Sequence, residues 1–194
     1  MVASDASLKR ALRAETRALR QNMTSDQRVA AETGITANLR TLVTELGAHT
    51  IGCYLPSVDE PPTTGFLDWA LSHDKTVLLP ISREDGLLDW ALYDGSDGGK
   101  DVAGMPIPGS TLLNPSAVDA VDLLLIPAAR VDRTGARLGW GRGYFDRLIG
   151  SMAKRPPIYA VVYDFDVVES VPREDHDQGV DGVVTPGGII RFSS

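Results

Sequence analysis

The 194-residue chain is 43% hydrophobic and 23% charged, a globular balance that sets aside disordered, collagenous and membrane-spanning classes, and its length suits one domain or two small ones. Its net charge of −7 argues against nonspecific nucleic-acid binding, which needs an excess of Lys and Arg. No run approaches the roughly 20 apolar residues of a spanning helix, and MVASDASLKRALRAETRALR lacks the continuous apolar core of a secretory signal, so the expected compartment is the cytoplasm.

Leu8, Leu12 and Leu19, with Ala11 and Ala18, predict an amphipathic helix over about residues 7–21. Lys9, Arg13, Arg17 and Arg20 recur along one face of it. Thr24 followed by Gln27 is a capping-box signature for a second helix carrying Ile35, Leu39, Leu42, Val43 and Leu46, with Gly47 as its stop. A strand near 49–55 follows and contains the single cysteine, Cys53, expected as a small buried hydrophobe. Next come a helix near 64–73 around Phe66, Leu67, Trp69 and Leu71, and strands near 76–81 and 87–92. Residues 94–118, rich in Gly, Pro, Ser and Asp, predict a long surface connection that either belongs to the site or links two domains. VDLLLIPA at 121–128 is apolar enough for a strand buried on both faces. An Arg/Gly-rich loop, a helix near 143–153, a strand at 157–163 and short strands near 181–185 and 188–192 complete the chain. This alternation predicts an α/β sandwich with a mainly parallel central sheet.

Charge is unevenly placed. Residues 8–20 and 130–147 together hold ten of the 19 basic residues and three of the 26 acidic ones, so they carry +7 and the remainder −14. Two basic segments in an acidic chain predict a local anion site. The second segment, IPAARVDRTGARLGWGRGYFDRL at 126–148, leaves a buried strand and enters a helix, placing it at the carboxyl end of the sheet, where open α/β folds bind ligands. Gly139, Gly141 and Gly143 let the backbone approach a phosphate, and Arg137 and Arg142 add charge-assisted contacts. The pattern is neither a Walker loop nor a dinucleotide fingerprint, since Gly-Lys-Ser/Thr is absent and Tyr144 stands where a glycine would be needed. Asp146 is placed to hold Mg²⁺ on a nucleotide, with Asp181 as a candidate partner, although a turn role suits Asp181 as well. In YLPSVDEPPT at 54–63, Asp59 and Glu60 lie between prolines, where a carboxylate could partner an amino-bearing heterocycle but spacing alone favours a polar turn. The acidic run Glu174, Asp175 and Asp177 reads as a solvated loop face. His49, His73 and His176 have no metal-ligand spacing, and no Ser-His-Asp or Cys-His arrangement is present.

RLGWGRGYFDR preceded by VDLLLIPAARVDRTGA resembles the signature of the 5-formyltetrahydrofolate cyclo-ligase family, also called methenyltetrahydrofolate synthetases. KRALR, YLPSVDEPPT and VPREDHDQGVDGVVT fall in the family's order, so the resemblance covers nearly the whole chain as one domain, residues 1–194. It implies a three-layer α/β fold and ATP- and Mg²⁺-dependent closure of 5-formyltetrahydrofolate to 5,10-methenyltetrahydrofolate, through a phosphorylated formyl group. It further implies a monomer with no nucleic-acid or membrane partner. By the same resemblance, Lys9, Arg10, Arg13 and the run Arg137, Leu138, Gly139, Trp140, Gly141, Arg142, Gly143, Tyr144 and Phe145 bind ATP. Leu55, Glu60 and Trp140 to Tyr144 bind the folate, Arg137, Arg142 and Tyr144 stabilise charge, and Asp146 and Asp181 hold the metal. Three positions depart from the family pattern: Phe145 replaces a second tyrosine, Trp140 offers a stacking surface, and Ile107 stands where many relatives carry a glutamate. The residues taken without the resemblance also admit another phosphate-binding enzyme on a similar scaffold, or a noncatalytic anion- or RNA-binding module.

Overall fold

The computed structural model describes residues 5–192. In chain order it forms α1 (Asp5–Gln21), α2 (Ser25–Leu46), β1 (Thr50–Gly52), α3 (Thr64–Ser72), β2 (Thr76–Ser82), β3 (Leu88–Leu92), β4 (Asp97–Lys100), β5 (Pro106–Pro108) and β6 (Leu112–Leu113). A 3-10 turn at Pro115–Ala120 leads to β7 (Leu123–Pro127), β8 (Arg130–Asp132), β9 (Arg137–Leu138), α4 (Tyr144–Ser151), β10 (Ile158–Val161), β11 (Val167–Val168), β12 (Gly182–Thr185) and β13 (Gly188–Arg191). None of the helices is long and apolar enough to cross a membrane among the described residues.

The main sheet runs β13-β12-β10-β7-β1-β2-β3-β6. Its five central strands, β12 to β2, are parallel, and antiparallel strands close both edges. Alternation along the strands divides the core. Ile51, Leu79, Leu123, Leu125 and Val161 face Ile35, Leu39, Leu42, Phe66 and Leu67 of α2 and α3. Leu78, Leu124, Ile126, Ala160 and Val183 face Ile149 of α4, Val118 and Trp90. The result is the expected three-layer α/β sandwich with a mainly parallel sheet. β7 is buried at all five positions, as its uninterrupted apolar run requires.

Local signals act as their chemistry dictates. Thr24 and Gln27 exchange hydrogen bonds at the start of α2 (3.2 and 2.8 Å), and Gly47 ends it at φ 61°. Cys53 is buried, and burial pushes its thiol up to about 12.

One expectation changes. Residues 94–118 are not structureless: β4 and β5 pair as a hairpin, and β6 extends the main sheet beside β3. Gly/Pro content hid these strands because only two to four residues pair in each. The amphipathic helix α1 turns its polar face inward. Lys9, Thr16 and Arg20 are buried, whereas Leu8 and Leu19 are 42% and 44% exposed. The helix lies across the carboxyl end of the sheet, against a small sheet of β11, β8 and β9. Carbonyls and carboxylates there accept from its cations, and only Leu12 packs near Leu138 and Ala129. The β8–β9 hairpin is pinned by Asp132, which accepts from Thr134 and Ala136 N–H (2.9 and 3.2 Å) and from Val171 N–H (3.1 Å).

Candidate functional site

A cavity of about 580 Å³ opens at the carboxyl ends of β1, β2 and β7. Its walls come from α1 (Lys9, Arg10, Arg13, Arg17), the loop after β1 (Leu55, Ser57, Glu60), the tip of the β4–β5 hairpin (Asp101, Ala103, Met105), the stretch from Arg137 to Asp146, and Glu174, His176 and Asp177. The walls are brought together by topology: parallel strands place all their outgoing loops on one side. Every residue expected to bind nucleotide or folate lines this cavity, as does Asp146.

Gly141 and Gly143 take φ 94° and 70°, a region that L side chains rarely adopt, so the Gly/Arg loop bends tightly before α4 begins. The bend is strapped from both sides. Arg13 Nε donates to Gly139 O (2.7 Å). Arg147 donates to Arg142 O (2.6 Å) and to Gly86 O (2.7 Å), while the Tyr144 hydroxyl donates to Arg83 O (3.0 Å). The Tyr144 hydroxyl therefore holds the loop to the β2–β3 turn, and its ring forms the cavity wall. Arg10 and Arg142 are exposed at the rim.

Arg137 is buried and donates to Asp146 Oδ1 (2.6 Å), which also accepts from Gln178 N–H (3.1 Å). Among the described residues its Nε has no hydrogen-bond partner. Burial draws the Arg137 guanidinium below its ordinary value against the opposing pull of Asp146 and Asp177. Lys9 Nζ lies between Asp177 Oδ2 (2.7 Å) and Glu174 Oε2 (3.1 Å). Burial alone would lower the Lys9 value, but hydrogen bonds to these two carboxylates carry it above normal; in Asp177 burial is likewise outweighed, and the carboxyl lies below normal. In the part of the wall that follows β1, Glu60 is 5% exposed and accepts from Ser57 N–H (2.9 Å). Burial pushes its carboxyl above the usual range, against the pull of Ser57 and the charge of Arg20.

The metal pair expected from Asp146 and Asp181 is not assembled. Asp181 lies outside the cavity, where it accepts from Ile158 N–H (2.7 Å) and Arg155 (2.8 Å). The reason is directional: it immediately precedes β12 and so sits at the amino end of a parallel strand, away from the outgoing loops. The cavity wall holds other carboxylates beside Asp146, among them Glu174 and Asp177, read from the sequence as a solvated face. Glu174, His176 and Asp177 also bring their ligand atoms within 4.8 Å of one another. The available signal was the reach of a long, buried lysine near the N-terminus, which no local spacing discloses. Ile107, in β5, is not part of the cavity wall, whereas its neighbours Met105 and Pro106 are.

The model of the 5-formyltetrahydrofolate cyclo-ligase family matches residues 5–186. A 5-formyltetrahydrofolate cyclo-ligase of Mycolicibacterium smegmatis is 33% identical over 152 residues, covering 75% of this chain and 78% of that one. One from Haemophilus influenzae is 26% identical over 170 residues, with 86% and 91% covered. Among solved structures, the 5,10-methenyltetrahydrofolate synthetase of Aquifex aeolicus superposes with a TM-score of 0.79 at 27% identity, over 96% of this chain and 94% of that one. That of Mycoplasma pneumoniae, at 19% identity, shares the fold with a TM-score of 0.74 over 92% and 98%.

Proposed function

The chain belongs to the 5-formyltetrahydrofolate cyclo-ligase family, and on that premise we propose that it closes 5-formyltetrahydrofolate to 5,10-methenyltetrahydrofolate, with ATP converted to ADP and phosphate in the presence of Mg²⁺. The observation that carries the nucleotide half is Arg137, a buried guanidinium in the cavity wall whose Nε–H lacks a partner. Asp146 already pairs its charge, and a buried donor left over is costly unless a further acceptor meets it, which a phosphate oxygen can do. Arg13 and Lys9 stand on the same wall, and the N-terminus of α4 opens onto it. The folate half rests on Glu60, a nearly buried carboxylate beside Leu55 that suits paired N–H groups of a pterin ring.

The chemical difficulty is the formyl oxygen, which is a poor leaving group. In the proposed sequence it attacks the γ-phosphorus, and the bond to the ADP oxygen breaks. N10 then attacks the activated formyl carbon and loses its proton, and the C–O bond breaks to release phosphate. Such transfer depends on positioning and charge stabilisation rather than on an enzyme nucleophile. Arg137 and Arg142 meet the triphosphate charge, Lys9 exchanges its carboxylate partners for phosphate oxygens, and Tyr144 fixes the loop that carries them. The cavity's carboxylates are hard oxygen donors of the kind Mg²⁺ takes. Asp146 and Asp177 would hold the ion, which supplies positive charge to the triphosphate when bound.

Mixing the pure protein with 5-formyltetrahydrofolate, ATP and Mg²⁺ and following the methenyl absorbance tests this reading. Absorbance that grows only when all three are present is the expected result. ATP hydrolysis without methenyl product, or no turnover at all, overturns it.

A further inference from the structure

Arg20, near the carboxyl end of α1, is fully buried, and the reaction above leaves it without a role. Its guanidinium donates to Asp166 Oδ2 through Nε (3.2 Å) and Nη2 (2.9 Å). Nη2 also reaches Ala128 O (2.7 Å), just past β7, and Nη1 donates to Asp59 O (3.0 Å), the residue before Glu60. Its carbon centre lies 5.2 Å from the Trp140 ring and 5.4 Å from that of Tyr163. One side chain thus touches the end of the central strand, the loop carrying Glu60 and the loop carrying the nucleotide glycines. A lysine could not do this, because its three donors share one nitrogen, whereas the guanidinium spreads its donors over three nitrogens and stacks its plane on a ring.

A fully buried ion pair is a poor device for stability alone, since desolvation offsets most of its attraction. The contacts identify what else it does. We propose that Arg20 is a positioning residue that fixes the folate loop and the nucleotide loop relative to each other, so that the formyl oxygen meets the γ-phosphorus. This rests on the reaction proposed above. The charge of Arg20 also acts on Glu60, pulling its carboxyl down against burial. Trp140, whose ring lies close to both Arg20 and Arg17 (5.4 Å), transmits the position of α1 to the neighbouring glycines.

The test compares the wild-type chain with Arg20→Lys and with the double variant Arg20→Met/Asp166→Asn, in which no charge is left buried without its partner. Thr24→Ala, which deletes an exposed helix cap far from the cavity wall, serves as the stability control. Steady-state kinetics are measured at a temperature where circular dichroism shows every variant folded. Misplacing reacting groups by about 1 Å costs on the order of 100-fold, so both Arg20 variants are expected to lose roughly 10–100-fold in kcat. KM for ATP and for the folate should change by less than about threefold, because each loop still binds its own ligand. Thr24→Ala should lower the melting temperature without moving kcat. A kcat within about threefold of wild type in either folded Arg20 variant overturns the positioning role while leaving the reaction standing. An inactive wild-type chain removes the reaction, and the positioning role with it.

Discussion

Asp146 and Glu60 both line the cavity, on different segments, and make separable demands. Asp146 neutralises buried Arg137 at 2.6 Å, and both of its protein hydrogen bonds fall on Oδ1. Asp146→Asn keeps that acceptor but leaves the buried Arg137 charge without its partner, so Mg²⁺-supported turnover is expected to fall by about two to three orders of magnitude and the melting temperature to fall as well; full activity in the folded variant would exclude Asp146 from the nucleotide site. Glu60→Gln should raise KM for the folate on the order of 10–100-fold, the worth of a hydrogen bond to a charged group, and leave KM for ATP in place. A matching rise for ATP would place Glu60 elsewhere in the mechanism. The sign of the pH effect follows from burial. A carboxyl held above its normal range stays protonated to higher pH, so folate affinity should weaken as pH falls through that raised value. Glu60→Gln should flatten this dependence.

At the scale of elements, α1 shows where periodicity reaches its limit. The leucine spacing predicts the helix correctly, and its bounds, Asp5–Gln21, agree closely. Periodicity alone does not say which stripe packs inward, and the helix seats Lys9, Arg13 and Arg20 on carboxylates and free carbonyls. Hydrophobicity decides orientation only when the facing surface is apolar, and the carboxyl end of a parallel sheet is not. Leu19→Gln is therefore expected to change stability by no more than about 0.5 kcal/mol, against roughly 2–5 kcal/mol for truncating a packed leucine; a denaturant titration distinguishes these. The β4–β5 hairpin went unread for a different reason. Two short strands rich in Gly and Pro carry no alternation, and their pairing becomes visible only in three dimensions.

For the molecule as a whole, the uneven charge predicts salt-sensitive catalysis. An acidic chain with its cations gathered on α1 and the Gly/Arg loop attracts anionic substrates locally while its remaining surface repels them. Raising KCl from about 0.05 to about 0.5 M should increase KM for ATP roughly three- to tenfold, because screening shortens the reach of rim residues such as Arg10 and Arg142. Salt-independent KM values would show that only the buried cations matter. The fold sets up this arrangement, since parallel strands send the loops after β1, β2 and β7 to one side and lay α1 across them.

The sequence by itself determined the order of most elements, the mainly parallel sheet, the Gly/Arg loop at its carboxyl end and the two basic segments that help wall the cavity. Each of these rests on a local pattern: apolar alternation, a capping box, glycines before a helix. Only the tertiary structure decided the partners of long side chains. Lys9 finds Glu174 and Asp177, more than 160 positions away, and Arg20 joins three loops. Asp181 is separated from Asp146 although both lie in recognisable motifs. Spacing along a chain fixes which face of an element a residue occupies, whereas the end of a strand to which it is delivered depends on strand direction, which only the assembled sheet defines.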